Sequence, residues 1–138
     1  MEKDRYQRQY EESLDAWHKD KSSFGEVDYL DEDGYPTESA LDIVSRWHWD
    51  DAEDYFKFIK ALWTYADCGY WREDTVLQDE FTNMKYKESR RRYYLSTAGW
   101  SGNEAIIRAM QQNEMMWHLN WVQSRRGGHY IFELKEFA

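Results

Sequence analysis

A chain of 138 residues is long enough for one packed domain and too short for two. It contains a single cysteine, which excludes an internal disulfide framework and a cysteine-based zinc site. The formal net charge of −9 argues against general duplex-DNA binding, which needs a broad basic face.

The absence of any run of about 18 apolar residues leads us to expect no membrane span. The opening Met1-Glu2-Lys3-Asp4-Arg5 lacks the apolar stretch of a signal peptide, so a cytoplasmic location is expected. Charge is unevenly placed. Residues 1–54 carry 17 acidic and 6 basic side chains, whereas residues 85–138 carry 5 and 9, so any anion site belongs in the C-terminal third. Eight Trp and eleven Tyr exceed what a core of this size is expected to absorb, which leaves rings to anchor a partner or stack on a base.

Residues 1–22 read as a polar helix. Tyr6, Tyr10, Leu14 and Trp17 form one narrow stripe on it, able to dock on the body or on a second copy. A two-fold homo-oligomer built through this arm is expected. Residues 29–36 read as an acidic turn rather than a calcium loop, because Gly34 comes too early and no Glu closes twelve residues. Residues 37–66 read as a helical pair. Thr37 caps the first helix, with Ala40, Val44 and Trp47 inward. Asp50 is expected to cap the second, whose inner face is Ala52, Tyr55, Phe56, Ile59, Leu62, Trp63 and Ala66. Asp67-Cys68-Gly69 ends it, with Cys68 as a half-buried small hydrophobe. Residues 70–89 show no clear period and read as loop with one short helix.

Residues 90–136 read as a β-α-β-β unit. The first strand is 92–97. A Gly-containing loop follows, then a helix opened by a Ser101/Glu104 capping box and buried through Ile106, Ile107 and Met110. Residues 115–123 alternate as a second strand, with Met115, Trp117, Leu119 and Trp121 on one face. Arg125-Arg126-Gly127-Gly128 is a hairpin loop, and Tyr130, Phe132 and Leu134 alternate in the last strand. The expected fold is α+β, a single domain in which N-terminal helices pack on a small mixed sheet.

A helical crossover should make the first two strands of this unit parallel, so their carboxyl ends share one edge. Ligands of such units bind where those loops cluster. Gly99 and Gly102 would let a ligand approach the backbone at a helix N-terminus, where Ser101 stands. Arg125 and Arg126 can grip a phosphate. Ser96, Thr97, Asn103 and His129 add neutral donors, and Trp100 and Trp121 offer flat rings. The set suits a phosphorylated nucleotide-type ligand. No catalytic residues, no metal ligands and no cofactor are assigned. The four histidines lack metal-ligand spacing, and the loop is neither a P-loop nor a dinucleotide fingerprint.

The run Tyr94-Leu95-Ser96-Thr97-Ala98-Gly99-Trp100-Ser101-Gly102-Asn103-Glu104, with Ser124-Arg125-Arg126-Gly127-Gly128-His129-Tyr130, resembles a family of small proteins encoded by phages and prophages. The turn Leu30-Asp31-Glu32-Asp33-Gly34-Tyr35-Pro36-Thr37 is similar to theirs as well. The resemblance brings no assigned activity. It implies a counter-defence role in the host cytoplasm. The leading expectation is a non-enzymatic protein that sequesters a signalling nucleotide. The alternatives are an acidic inhibitor of a host defence protein and a small phosphodiesterase using His129.

Overall fold

The computed structural model describes residues 4–134. The outermost parts of two expected segments, residues 1–3 and 135–136, lie outside them. Five α-helices and four strands make an α+β fold. Helix α1 (Arg5–Lys21) begins at Asp4, whose side chain accepts from the Gln7 amide. Helix α2 (Glu38–Arg46) begins at Thr37 as its sequence indicates, with the Thr37 hydroxyl accepting from the Ala40 amide. Helix α3 (Ala52–Leu62) buries Tyr55, Phe56, Ile59 and Leu62. Strands β1 (Trp71–Gln78) and β2 (Lys85–Ser96) follow, then α4 (Ser101–Gln112), α5 (Glu114–Asn120), β3 (Trp121–Arg125) and β4 (His129–Glu133).

The sheet order is β1-β2-β4-β3, and every neighbouring pair is antiparallel. The expected mixed sheet is therefore corrected. β2 and β3 do point the same way, but β4 lies between them. The hairpin returns its second strand into the gap that a direct parallel pairing would have closed. The carboxyl ends of β2 and β3 still share one edge.

Residues 70–89, expected as loop with one short helix, instead form most of a β-ribbon. β1 and the first half of β2 extend past the partners that β4 provides, since β4 pairs only from Arg92 to Ser96. Nearly every side chain on the ribbon is wet, so no alternation of burial is written into its sequence. Residues 115–120, expected as strand, are helical. Met116 and Asn120 are the buried pair, four apart, while Met115 is exposed.

One face of the sheet carries the core. Tyr93 and Leu95 of β2 and Phe132 of β4 meet α3, and Phe56 stacks on Tyr93 with centroids 4.3 Å apart. A second aromatic group joins Trp17, Phe24 and Trp47, with Trp17 and Trp47 5.0 Å apart. Burying such rings contributes about 1.5–3 kcal/mol each. Trp17 and Leu14 of the α1 stripe are thus packed within the chain, and Tyr10 bonds to Asp50. Tyr6 alone of the four is fully out, at 81% exposure.

Three smaller expectations are corrected. Asp51, not Asp50, precedes α3, and its carboxylate takes the Trp17 indole and Lys21 instead of capping. α3 stops at Leu62. Trp63 turns extended because its indole nitrogen reaches the Tyr70 and Ser96 carbonyls, and Ala66 to Cys68 make a separate 3-10 turn closed by Gly69. Cys68 is exposed.

Candidate functional site

Alternation along β2 divides its side chains. Tyr93 and Leu95 enter the core, and Arg92, Tyr94 and Ser96 point to the face that no helix covers. Register brings Arg72 opposite Tyr94, Ile131 opposite Tyr94 from the other side, His129 opposite Ser96, and Glu133 opposite Arg92. Arg125 stands opposite His129. All of these but Glu133 line a basin of about 450 Å³ on the bare sheet face, joined by Gln123 and by Glu80 from the β1–β2 turn.

Its contacts are specific. The Ser96 hydroxyl and His129 Nδ1 are 2.7 Å apart. Arg125 Nε donates to Gln123 Oε1 at 3.1 Å, which leaves its outer nitrogens for a ligand. The Arg72 guanidinium lies 3.9 Å from the centre of the Tyr94 ring. Arg92 is only 7% exposed. Its Nε and Nη2 donate to Glu133 Oε2 at 3.1 and 2.8 Å, and its Nη1 faces Glu80 Oε2 at 3.5 Å. Burial opposes the charge on Arg92, yet the bonds to Glu133 outweigh it and raise its pKa above the ordinary arginine value. Arg92 therefore stays a fixed cation at the floor of the basin.

The residues singled out from sequence are spread over several places. Ser96, Arg125 and His129 meet in the basin. Thr97 is buried beneath the hairpin turn, where its amide donates to the Gly128 carbonyl at 3.0 Å and it borders a small cleft against α4. Gly128 is required there. Its φ is +80°, and a Cβ would sit 2.3 Å from the Thr97 hydroxyl. Arg126 is exposed at the hairpin tip and does not line the basin.

Another place is the start of α4, which is closed by aromatic rings. Trp100 is the N-cap residue, no side chain caps the helix, and the expected Ser101/Glu104 capping box is absent. Ser101 Oγ donates instead to the Tyr35 hydroxyl at 3.2 Å. The Trp100 ring packs on Tyr35 with centroids 4.7 Å apart and lies over Gly102, where a Cβ would come within 2.1 Å of it. Gly102 thus makes room for Trp100. Gly99, at φ +72°, turns the chain in the open. Asn103 is fully buried and clamps Thr64, accepting from its amide at 3.0 Å and donating to its carbonyl at 3.3 Å. Trp121 stacks on Trp117 and donates its indole N–H to Ser124 Oγ, beside a separate cleft.

Sequence reasoning missed Arg72, Arg92 and Tyr94. The i, i+2 pattern Arg90, Arg92, Tyr94, Ser96 was the available signal: one strand face written in arginine and tyrosine.

Fold and site define an α+β protein with an arginine-lined basin on an uncovered sheet. No protein-family model, no curated protein and no solved structure matches the chain. Among the described residues, no helix is long and apolar enough to cross a membrane.

Proposed function

We propose that the protein is a non-enzymatic binding protein that takes up a phosphorylated nucleotide-type ligand in the open-face basin. Sequestering a signalling nucleotide in this way would counter host immunity. One observation carries the reading. Arg125, His129 and Ser96 converge with Arg72, Arg92 and Tyr94 around a cavity of about 450 Å³. Such a volume falls within the range of small-molecule sites. Arginine forks grip phosphate, and a ring paired with a guanidinium offers a plane for a base.

Calorimetry with adenosine monophosphate tests this. The double variant Arg125→Ala/His129→Ala should lose at least about tenfold in affinity, as expected for removing charge-assisted bonds. Unchanged binding would move the site elsewhere. Incubating the protein with a dinucleotide, then heating and identifying what is released, checks that no chemistry occurs, since a binding protein returns the phosphodiester intact. A phosphodiesterase working through His129 would return a cleaved product.

A second reading, inhibition of a host protein, rests on the ribbon tip. Leu77, Phe81 and Met84 are exposed there, Phe81 to 87%. Under that reading Phe81→Ser would abolish inhibition and leave nucleotide binding unchanged.

A further inference from the structure

On the open face, β2 presents three stations in sequence. Ser96 comes first, with His129 and Arg125 beside it. Tyr94 is second, with Arg72 over its ring. Arg92 is third, held by Glu133. Residues two apart on a strand lie about 7 Å apart, so the first and third stations are separated by about 13 Å along the strand. A single phosphate does not bridge that span. The order is cation, ring, cation.

The third station is occupied by the protein's own carboxylate. Glu80 lines both the basin and a second cavity of about 170 Å³ that also contains Arg90 and Arg92. It sits on the β1–β2 turn, yet the turn does not depend on it. Asp79 closes the turn by accepting from the Phe81 and Thr82 amides, each at 2.9 Å. Glu133 fixes Arg92 at 2.8 Å, whereas Glu80 touches the remaining nitrogen at 3.5 Å, beyond the length of a good charge-assisted bond.

We infer that the basin takes a dinucleotide-type ligand with a phosphate group at each end, and that Glu80 holds the second phosphate position until that ligand displaces it. This rests on the binding function proposed above and narrows its ligand class. One phosphate lies at Arg125 and His129, the base stacks on the Arg72 guanidinium over Tyr94, and the second phosphate replaces the Glu80 carboxylate on Arg92. Movement of Glu80 joins the two cavities into one trough. A ligand with one phosphate leaves Glu80 in place.

The test is calorimetry on the full chain, wild type and Glu80→Gln, with two probes. One is diadenylate phosphorylated at both its 5′ and 3′ ends, whose terminal phosphates are two nucleosides apart. The other is adenosine monophosphate. Wild type should bind the dinucleotide at least about tenfold more tightly than the monophosphate, and Glu80→Gln should tighten the dinucleotide about fivefold further and the monophosphate by clearly less. Glu80 is solvent-accessible and not part of the core, so the variant should keep the wild-type melting temperature.

Equal affinity for the two probes in wild type, or a Glu80→Gln variant that binds the dinucleotide no better or more weakly, overturns the two-phosphate inference. Should the monophosphate still bind through Arg125 and His129, the broader function survives that result. If neither probe binds to either protein, both fall together.

Discussion

The two faces of this sheet are built from the same strands and obey different rules. On the covered face, Tyr93 and Phe132 meet Phe56 of α3 and Leu95 joins the same apolar cluster, with the Lys60–Glu73 ion pair at its rim. On the open face, the intervening residues are Arg72, Arg92, Tyr94, Ser96, His129, Ile131 and Glu133, only one of them aliphatic. Two of them, Arg92 and Glu133, are 7% and 6% exposed although they are charged. Burying an ion pair is weak evidence for stability, because desolvation costs about as much as the pairing returns. Pre-organisation is the better explanation: Glu133 fixes the arginine so that little freedom remains to be lost when an anion arrives. The covered face holds the fold, and the open face holds a geometry.

The largest effect should come from breaking the covered face. Phe56 is 1% exposed and touches Tyr93 and Phe132. Phe56→Ala should cost about 3–5 kcal/mol in urea denaturation. A loss below about 1 kcal/mol would mean that this face is not the core.

Next comes the open-face ion pair. Glu133→Leu strands the buried Arg92 and should cost about 3 kcal/mol, whereas Arg92→Met/Glu133→Leu should recover most of it. Recovery of stability without recovery of nucleotide binding would sharpen the contrast between the faces. No recovery in the double variant would show that the pair itself holds the sheet together.

A smaller loss should follow Asn113→Ala. Asn113 joins α4 to α5 and donates to the Val44 and Trp47 carbonyls at 3.1 and 2.9 Å. Leaving those buried acceptors unpaired should cost about 1–3 kcal/mol, read by thermal melting, without touching ligand affinity. A concurrent loss of binding would couple this joint to the basin.

The smallest effect lies outside both faces and depends on pH. The Lys21 ammonium, 2.6 Å from Asp54, holds that carboxyl below its usual value. A lowered folded-state pKa contributes stability above the unfolded value of about 3.9 and loses it as pH falls through the folded value. Asp54 is 49% exposed, so the contribution is screened to about 0.5 kcal/mol. Asp54→Asn should therefore cost about 0.5 kcal/mol at pH 7 and nothing at pH 2. An equal cost at both pH values would assign it to something other than charge.

An acidic inhibitor of a host protein would also depend on the negative charge of the 31–33 turn, and charge reversal there tests that dependence. Asp31 Oδ1 accepts from the Asp33 and Tyr35 amides and so holds its turn, which leaves Glu32 and Asp33 as the residues to reverse.

Periodic segments were legible in the sequence because burial wrote them. The inner residues of α2 and α3, the Ile106/Ile107/Met110 stripe of α4 and the glycine hairpin at 127–128 all follow from local spacing or positive φ. The sharing of one edge by Ser96, Arg125 and His129 also followed, from connection geometry alone. The β1–β2 ribbon was not legible, because a strand wet on both faces has no alternation to detect. Residues 115–120 misled for the opposite reason: three large apolar residues at spacing two, Met115, Trp117 and Leu119, sit on a short helix whose buried contacts are Met116 and Asn120.

The sequence by itself determined the α+β composition, the helical pair and the placement of the basic side chains in the C-terminal third. Only the tertiary structure decided that β4 inserts between β2 and β3, that Trp100 closes over Gly102 at the start of α4, and that Arg72 and Arg92 join the basin. Spacing along a chain records which side chains share a face. Which faces then meet depends on cross-strand register, and on which ring reaches a helix end first.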